Sequence, residues 1–138
     1  SNMNPTDVTL IKKGIHNPKD PRHFMRVRSA DKSIEIWLND ECLAKTDSAL
    51  LVQENGFDMY DPAYYIPKAD VVMDQLKPTD KSTHCPLKGD TTYFNYSGNQ
   101  GEIEAIGWEY SRPYDRSEEL KGHISFDANK VRVIISPI

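Results

Sequence analysis

The run DTTYFNY at residues 90–96 is the strongest strand signal in the chain. It combines threonine with aromatic residues, which are enriched in strands. Residues 97–101 follow as a polar, glycine-containing turn, and the return run places Ile106, Trp108 and Tyr110 on one face of a second strand. The stretch therefore predicts a long antiparallel hairpin, in which Tyr93 and Trp108 can face one another.

Shorter runs of the same kind occur on both sides of this hairpin. Further strands are predicted at residues 33–38, 42–46, 48–54, 60–66, 123–127 and 131–135. Turn signals such as Asn55-Gly56 separate them, while Pro67 and residues 117–121 favour short helical turns. About eight short strands predict a mainly β fold, either a two-sheet sandwich or a partly open barrel, with one or two helical turns.

The first 25 residues differ in composition from the rest. Ser1-Asn2 is typical of an expression-tag remnant, and the following residues form a polar arm rich in X-Pro steps, which disfavour helix. The arm contains three apolar residues that could form a short edge strand and two histidines that are expected to be solvated, namely Val8, Leu10, Ile11, His16 and His23. Residues 26–138 are predicted to form a single β-rich domain.

Composition narrows the classes of function. The chain has 138 residues and a formal net charge of −4, so it lacks the basic character of a nucleic-acid-binding domain. It has no apolar run of about 20 residues and no amino-terminal signal, so we expect a cytoplasmic protein without a membrane partner. Cys42 and Cys85 are expected to be free thiols, and the absence of a CxxC pair argues against a metal site. We expect no cofactor, and a monomer or a homodimer.

Side chains that could take part in chemistry are most concentrated in the stretch THCPLKG, residues 83–89, which contains a thiol, an imidazole and an amine. Cys85 precedes a proline, which favours an extended or turn conformation, and the nearby Lys88 and His84 could favour a thiolate nucleophile. His84 would point to the opposite face of a strand, so His123 is the more suitable distant base. The alternative is a buried, inert thiol. Lys88-Gly89 could bind an anion, although the phosphate-loop pattern is absent.

Polar and aromatic residues recur on the strands predicted around this turn. Glu54 ends a strand, where a partly buried carboxyl group could serve as an acid, a base or a polar anchor. Tyr65, Tyr93 and Trp108 fall on neighbouring strands and could either pack in the core or line a cavity. Because successive strand residues face opposite ways, only one of Tyr64 and Tyr65 can point inward.

The combination of these motifs resembles a known family, domain-of-unknown-function family 427, over about residues 26–135. The resemblance is carried by Glu54, Tyr65-Ile66-Pro67-x-x-Asp70-Val71, Thr83-x-Cys85-Pro86-x-Lys88-Gly89, Tyr93, Trp108-x-Tyr110-x-x-Pro113 and Gly122-x-x-x-Phe126. The resemblance implies a small protein of the kind found mostly in bacteria and fungi. It also implies a mainly β fold in which two sheets form a tent-like arrangement that encloses a cavity. The family carries a nucleotidyltransferase-like label but no agreed activity. Leu87 stands where the family usually has an aromatic residue, so a stacking contact there would be lost.

These observations together predict a small-molecule-binding domain whose ligand is unknown. We expect an aromatic-edged polar cavity between the two sheets, lined by Glu54, Tyr65, Cys85, Lys88, Tyr93 and Trp108. One alternative is an enzyme that uses Cys85 or Lys88 on a small acyl, carbonyl or nucleotide substrate. Another is a protein-interaction module that uses exposed strand edges and the basic residues Arg22, Arg26 and Arg28.

Overall fold

The structure is a computed structural model that describes residues 10–138, so the predicted tag remnant and Val8 lie outside the described residues. Within that range the chain forms twelve strands: β1 Ile15–Asn17, β2 Asp20–Ser29, β3 Ser33–Leu38, β4 Glu41–Thr46, β5 Leu50–Asn55, β6 Ala63–Pro67, β7 Leu76–Pro78, β8 His84–Cys85, β9 Gly89–Gly98, β10 Gly101–Pro113, β11 His123–Phe126 and β12 Arg132–Ser136. Its three short 3-10 helices are Lys68–Asp70, Met73–Gln75 and Asp115–Leu120. None of these is long and apolar enough to cross a membrane.

The strands form two antiparallel sheets. The large sheet has the order β1-β2-β5-β6-β11-β10-β9-β7, with β8 paired to β9, and the small sheet has the order β12-β3-β4. Among the described residues neither sheet closes into a barrel. The predicted mainly β fold of two sheets with short helical turns is confirmed.

The predicted hairpin is formed by β9 and β10. Trp108 lies directly opposite Tyr93 in its register, and the centroids of their rings are 5.7 Å apart. Gly107 follows the hairpin's register shift and lies beside Ser125 of β11, where the backbones approach too closely for a side chain. β10 pairs with β9 and β11, and β9 pairs with β10, β7 and β8, so neither strand of the hairpin is an edge strand of the large sheet.

A first core fills the space between the two sheets. Alternate residues of β3 are buried, which is the pattern of a strand with one face against a core. The small sheet contributes Ile34, Ile36, Leu38, Leu43 and Ala44, and the large sheet contributes Ile66, Leu76, Phe94, Tyr96, Ile106, Ile124 and Phe126. Hydrophobic side chains thus occupy the interval in which the sequence predicts a polar cavity.

A second core lies on the opposite face of the large sheet. Tyr65 belongs to it whereas its neighbour Ile66 belongs to the first core, as strand alternation requires. No strand of the small sheet contributes to this core in the described part of the chain. Instead, residues 85–88, which we call the 85–88 segment, cover it with Leu87, and the 3-10 helix Asp115–Leu120 adds Leu120.

The sheet extends into the region predicted as a polar arm. β2 begins at Asp20 and pairs with β5 from Phe24 opposite Asn55 to Ser29 opposite Leu50. The predicted boundary at residue 26 therefore falls inside a strand. Pro21 fits this strand because proline is tolerated near a strand's start.

Candidate functional site

A buried ion pair lies on the face of the large sheet that carries the second core. Lys88 is only 8% exposed, and its Nζ donates a hydrogen bond of 2.5 Å to Glu54 Oε1. Glu54 is on β5, opposite Met25 of β2, whereas Lys88 is the last residue of the 85–88 segment. The pair therefore ties that segment to the sheet across 34 residues of sequence.

His23 extends the pair through the second oxygen of the same carboxylate. Its Nε2 lies 2.9 Å from Glu54 Oε2, and both side chains are largely buried. The amine and the imidazole therefore occupy one carboxylate oxygen each. His16 is also engaged, because its Nδ1 lies 2.7 Å from the Pro21 carbonyl oxygen and its Nε2 accepts from the Ile11 amide at 3.0 Å. The expectation that these two histidines are merely solvated is wrong.

The environment fixes the charges of the pair. Burial alone would raise the pKa of Glu54, but the nearby Lys88 charge and the hydrogen bonds from His23 and Lys88 outweigh it and lower that pKa below its ordinary value. Burial also opposes the charge on Lys88, yet the acidic groups of Tyr65, Cys85 and Glu54 overcome it and raise the pKa of the amine. At neutral pH the carboxylate is therefore negative and the amine positive.

A row of aromatic rings continues from this pair across the sheet. Lys88 Nζ lies 5.5 Å from the centroid of the Tyr110 ring, which is 6.3 Å from that of Tyr65. Trp108 Nε1 donates to the Tyr65 hydroxyl at 3.2 Å and its ring contacts Tyr93. Burial raises the pKa values of Tyr65 and Tyr110, so both phenols stay protonated.

The thiol of Cys85 has packing neighbours rather than a base. Cys85 is half-buried against the second core. His84 projects to the exposed face, where its Nδ1 lies 2.7 Å from Asp90 Oδ1, and His123 Nδ1 lies 3.1 Å from the Lys121 carbonyl oxygen. Within residues 10–138 no hydrogen bond joins Cys85 to either histidine. Leu87, which stands where the family usually has an aromatic residue, is fully buried in the second core.

A cleft opens beside His23. It has a volume of about 520 Å³ and runs between the β1–β2 hairpin and the loop after β5, with lining residues Asn17, Asp20, Arg22, His23, Gly56, Phe57, Tyr60 and Pro86. We call it the arm cleft. Its polar wall comes from the β1–β2 hairpin, and Phe57 and Tyr60 provide an aromatic wall. His23 lines the arm cleft and contacts Glu54, so it separates the cleft from the Glu54–Lys88 pair.

Residues 56–62 connect β5 to β6 and form the outer wall of the cleft. The Gly56 amide donates to the Asp58 carbonyl at 3.0 Å, and the Tyr60 amide donates to the Glu54 carbonyl at 3.3 Å. Phe57 and Met59 are exposed at the tip of this loop. A second cavity of about 390 Å³ lies on the far side of Tyr60, with lining residues Phe24, Arg26, Gln53, Glu54, Asn55, Met59, Tyr60 and Pro62.

The predicted site residues fall on one face but not around the predicted cavity. Glu54, Lys88 and Tyr65 meet around the ion pair, Trp108 joins them through its hydrogen bond, and Cys85 packs against the same core. Tyr93 reaches the group only through Trp108. All of them lie on the face of the large sheet turned away from the small sheet. Among the described residues no group of three or more His, Cys, Asp and Glu side chains is placed to hold a metal ion.

Sequence reasoning missed His23, Phe57 and Tyr60 as members of a site. The available signal was alternation: if β2 starts before residue 26, His23 shares a face with Met25, and Met25 is fully buried. The X-Pro steps upstream concealed that start. Nothing local marks Phe57 or Tyr60 as cleft residues, because their place depends on where the β1–β2 hairpin lies.

The fold and the site together define a small two-sheet β domain with a buried ion pair behind an open cleft. A sequence profile described as domain of unknown function (DUF427) matches residues 26–137, and the chain therefore belongs to this family. The suspected resemblance is confirmed. No curated protein matches the chain by sequence.

The ion pair predicts a specific pH dependence of stability. The lowered pKa of Glu54 stabilises the fold above its ordinary value of 4.5, and this contribution is lost as the pH falls through the folded-state pKa. The raised pKa of Lys88 stabilises the fold below 10.5, and this contribution is lost as the pH rises through the folded-state pKa. Because an imidazole beside the carboxylate can itself titrate near neutral pH, the comparison is made in a His23→Phe background. There we expect the difference in unfolding free energy between the parent and the added Glu54→Gln, Lys88→Met double substitution to be constant between about pH 5 and 10. In acid denaturation series the parent should lose stability relative to the double substitution below that window; parallel curves down to pH 3 would contradict the assignment.

Proposed function

We propose that the arm cleft binds a small molecule and that His23 is its polar anchor. The observation that carries the proposal is the histidine itself, which lines the cleft while Glu54 and Lys88 hold it from behind. The cleft volume of about 520 Å³ is within the range of small-molecule sites. An oriented polar group in a partly apolar cleft is the usual composition of such sites.

The cost of the ion pair supports this proposal. Removing two charges from water is expensive, so a buried ion pair often contributes little net stability compared with apolar residues of similar volume. Its presence is better explained by what it holds in place. Groups with perturbed pKa values beside a cleft are common at functional sites. Here the pair fixes the orientation of His23 toward the cleft.

The aromatic wall gives a second reason. Phe57 is fully exposed and Tyr60 is 48% exposed, although both rings border a cleft that could cover part of their surface. Apolar surface gains free energy when it leaves water, and a bound molecule would remove water from these rings. Tyr65, Tyr93 and Trp108 would then support the site from the sheet without contacting the ligand.

The enzyme alternative has weaker support. A lysine nucleophile needs a lowered pKa, whereas the pKa of Lys88 is raised and its amine is bound to Glu54. Because the Lys88 amine is already paired with the Glu54 carboxylate, its positive charge is not available to bind an anionic ligand. Cys85 packs against the second core, and no base is hydrogen-bonded to it within the described residues.

The two thiols, both unpaired, favour a cytoplasmic location.

The interaction-module alternative rests on the loop tip. Phe57 and Met59 are exposed apolar side chains two positions apart in the same loop. An exposed apolar patch is typical of a protein contact. If that were the function, Met59 would contribute as much as Phe57, and the cleft wall at His23 would not.

Titration with neutral aromatic probes tests the proposal. Indole, phenol and 2-pyridone are to be titrated into the protein by NMR, and we expect at least one to bind with a Kd of about 1 mM or lower. The Phe57→Ala, Tyr60→Ala double variant should weaken that binding at least about fivefold, because it removes the aromatic wall. Ile135→Ala removes an exposed apolar side chain of β12 and should change nothing. Equal weakening by both variants, or no binding of any probe, would reject the proposal.

A further inference from the structure

We infer that His23 presents the lone pair of Nδ1 to the arm cleft, and that the cleft selects a neutral, planar aromatic molecule carrying an N–H or O–H donor. This inference rests on the proposed function of the cleft and adds the class of ligand. It follows from the polarity of one hydrogen-bond chain and from the balance of charges around the cleft.

The hydrogen-bond chain has only one consistent direction. The Lys19 amide donates to Asn17 Oδ1 at 3.0 Å, so the amide nitrogen of Asn17 is the atom that faces His23, with Nδ2 3.4 Å from His23 Nδ1. An amide nitrogen can only donate, so Nδ1 must accept. At the other end the Glu54 carboxylate can only accept, so Nε2 must donate. This pattern places the imidazole proton on Nε2 and the lone pair on Nδ1.

The acceptor on Nδ1 is only weakly used. A contact of 3.4 Å between Asn17 Nδ2 and His23 Nδ1 is longer than the 2.7–3.2 Å of ordinary N–H hydrogen bonds. Both residues line the arm cleft. A ligand donor that enters the cleft can therefore replace Asn17 at this position and make the stronger bond. A second acceptor there would meet a lone pair and be repelled.

The charges around the cleft are paired already. Arg22 Nε lies 3.1 Å from Asp20 Oδ1, and Glu54 bonds Lys88 behind His23. Each of the two pairs sums to zero. A charged ligand that enters the cleft would lose part of its hydration, and this lining offers no unpaired opposite charge to compensate for the loss. A neutral molecule would not have this desolvation cost. The balance therefore favours a neutral ligand.

The shape of the remaining wall selects for a flat ring. Phe57, Tyr60 and Pro86 line the cleft with two aromatic rings and a pyrrolidine ring. Aromatic rings attract one another in offset-stacked or edge-to-face arrangements. A planar ring with a donor on its edge can contact these rings while it reaches His23. N–H heteroaromatics and phenols have this form.

Matched methylated probes test the donor requirement. Indole, phenol and 2-pyridone are to be compared with N-methylindole, anisole and N-methyl-2-pyridone, which keep the ring and remove the donor. We expect each donor-bearing probe that binds to bind at least about tenfold more tightly than its methylated partner. If the methylated probes bind in the cleft equally well, the inference is overturned while the proposed function stands. If neither kind binds, the proposed function fails.

A protein-side measurement separates the donor effect from the size of the methyl group. In the His23→Phe variant, which keeps a ring but has no acceptor, the preference for indole over N-methylindole should disappear. Folding of this variant is checked by its amide NMR spectrum. In the wild type, ¹⁵N NMR of the imidazole should find the proton on Nε2 and a bare Nδ1 that shifts when a donor-bearing probe binds. A proton on Nδ1, or an Nδ1 signal insensitive to every donor-bearing probe that binds, would overturn the inference whatever the variant does.

Discussion

Replacing Lys88 with methionine should lower the free energy of unfolding by about 3 kcal/mol, because it leaves the Glu54 carboxylate buried without its ion-pair partner. The methionine chain fills much of the same volume, so the loss reports mainly on the charge. Glu54 keeps its contact with His23, which places the expected effect at the lower end of the range for a broken buried pair. Urea denaturation monitored by far-UV circular dichroism measures it.

Two further variants make this result interpretable. Lys45→Met carries the same change at an exposed position of β4 and should alter stability by no more than about 0.5 kcal/mol. The Glu54→Gln, Lys88→Met double variant removes both charges and should be more stable than Lys88→Met alone, since no buried charge is left unpaired. A loss below about 1 kcal/mol for Lys88→Met would mean that the pair is not buried as described.

Replacing Gly89 with alanine should be at least as damaging, with a loss of about 3 kcal/mol or more. Gly89 has a φ of +110°, and a Cβ there would lie 2.4 Å from the Arg112 carbonyl oxygen and 2.8 Å from the Tyr114 nitrogen. These are backbone atoms, so no side-chain rotation can relieve the contact. The residue also follows Lys88, whose carbonyl accepts from the Tyr114 amide at 3.0 Å. The substitution should therefore displace the 85–88 segment as well.

Gly101→Ala is the matched control for this substitution. Gly101 also has a positive φ, of +92°, but a Cβ there would meet no atom within 4 Å. Gly101→Ala should lower the free energy of unfolding only by the cost of holding alanine at a positive φ, about 1–2 kcal/mol. The same denaturation measurement compares the two. If Gly89→Ala costs no more than Gly101→Ala, the close approach of β9 to Arg112 and Tyr114 is not a constraint on the fold.

The fold was largely predictable from the sequence because its strongest elements are local. The β9–β10 hairpin follows from alternation and a glycine-containing turn, and alternation alone puts Tyr65 and Ile66 on opposite faces. The start of β2 was not predictable in this way. Residues 20–23 are polar and contain a proline; Asp20 pairs with Asn17 of β1, and pairing with β5 begins only at Phe24. The X-Pro steps therefore conceal the alternation of His23 with Met25 that marks this part of the strand.

The site was predictable in its residue types and not in its position. Glu54 and Lys88 were recognised as polar anchors, yet their mutual contact depends on how the 85–88 segment crosses the sheet. The cavity was expected between the sheets, where Ile34, Ile36 and Phe94 now pack. Two faces of one sheet are equivalent in an alternating pattern, so the sequence cannot say which face a second sheet will cover. The small sheet packs against the face of the large sheet opposite the ion pair.

The central claim is that the arm cleft is the functional site of this domain, and mapping a bound probe tests it most directly. On addition of the tightest-binding of indole, phenol and 2-pyridone to ¹⁵N-labelled protein, the backbone amide signals of Asn17, His23, Gly56, Phe57 and Tyr60 should shift, because these residues line the cleft. The amides of Ile34 and Ile36 in the small sheet should stay unchanged. Shifts confined to the small sheet, or no shifts in the cleft with any of the three probes at about 10 mM, roughly ten times the expected Kd, would contradict the claim.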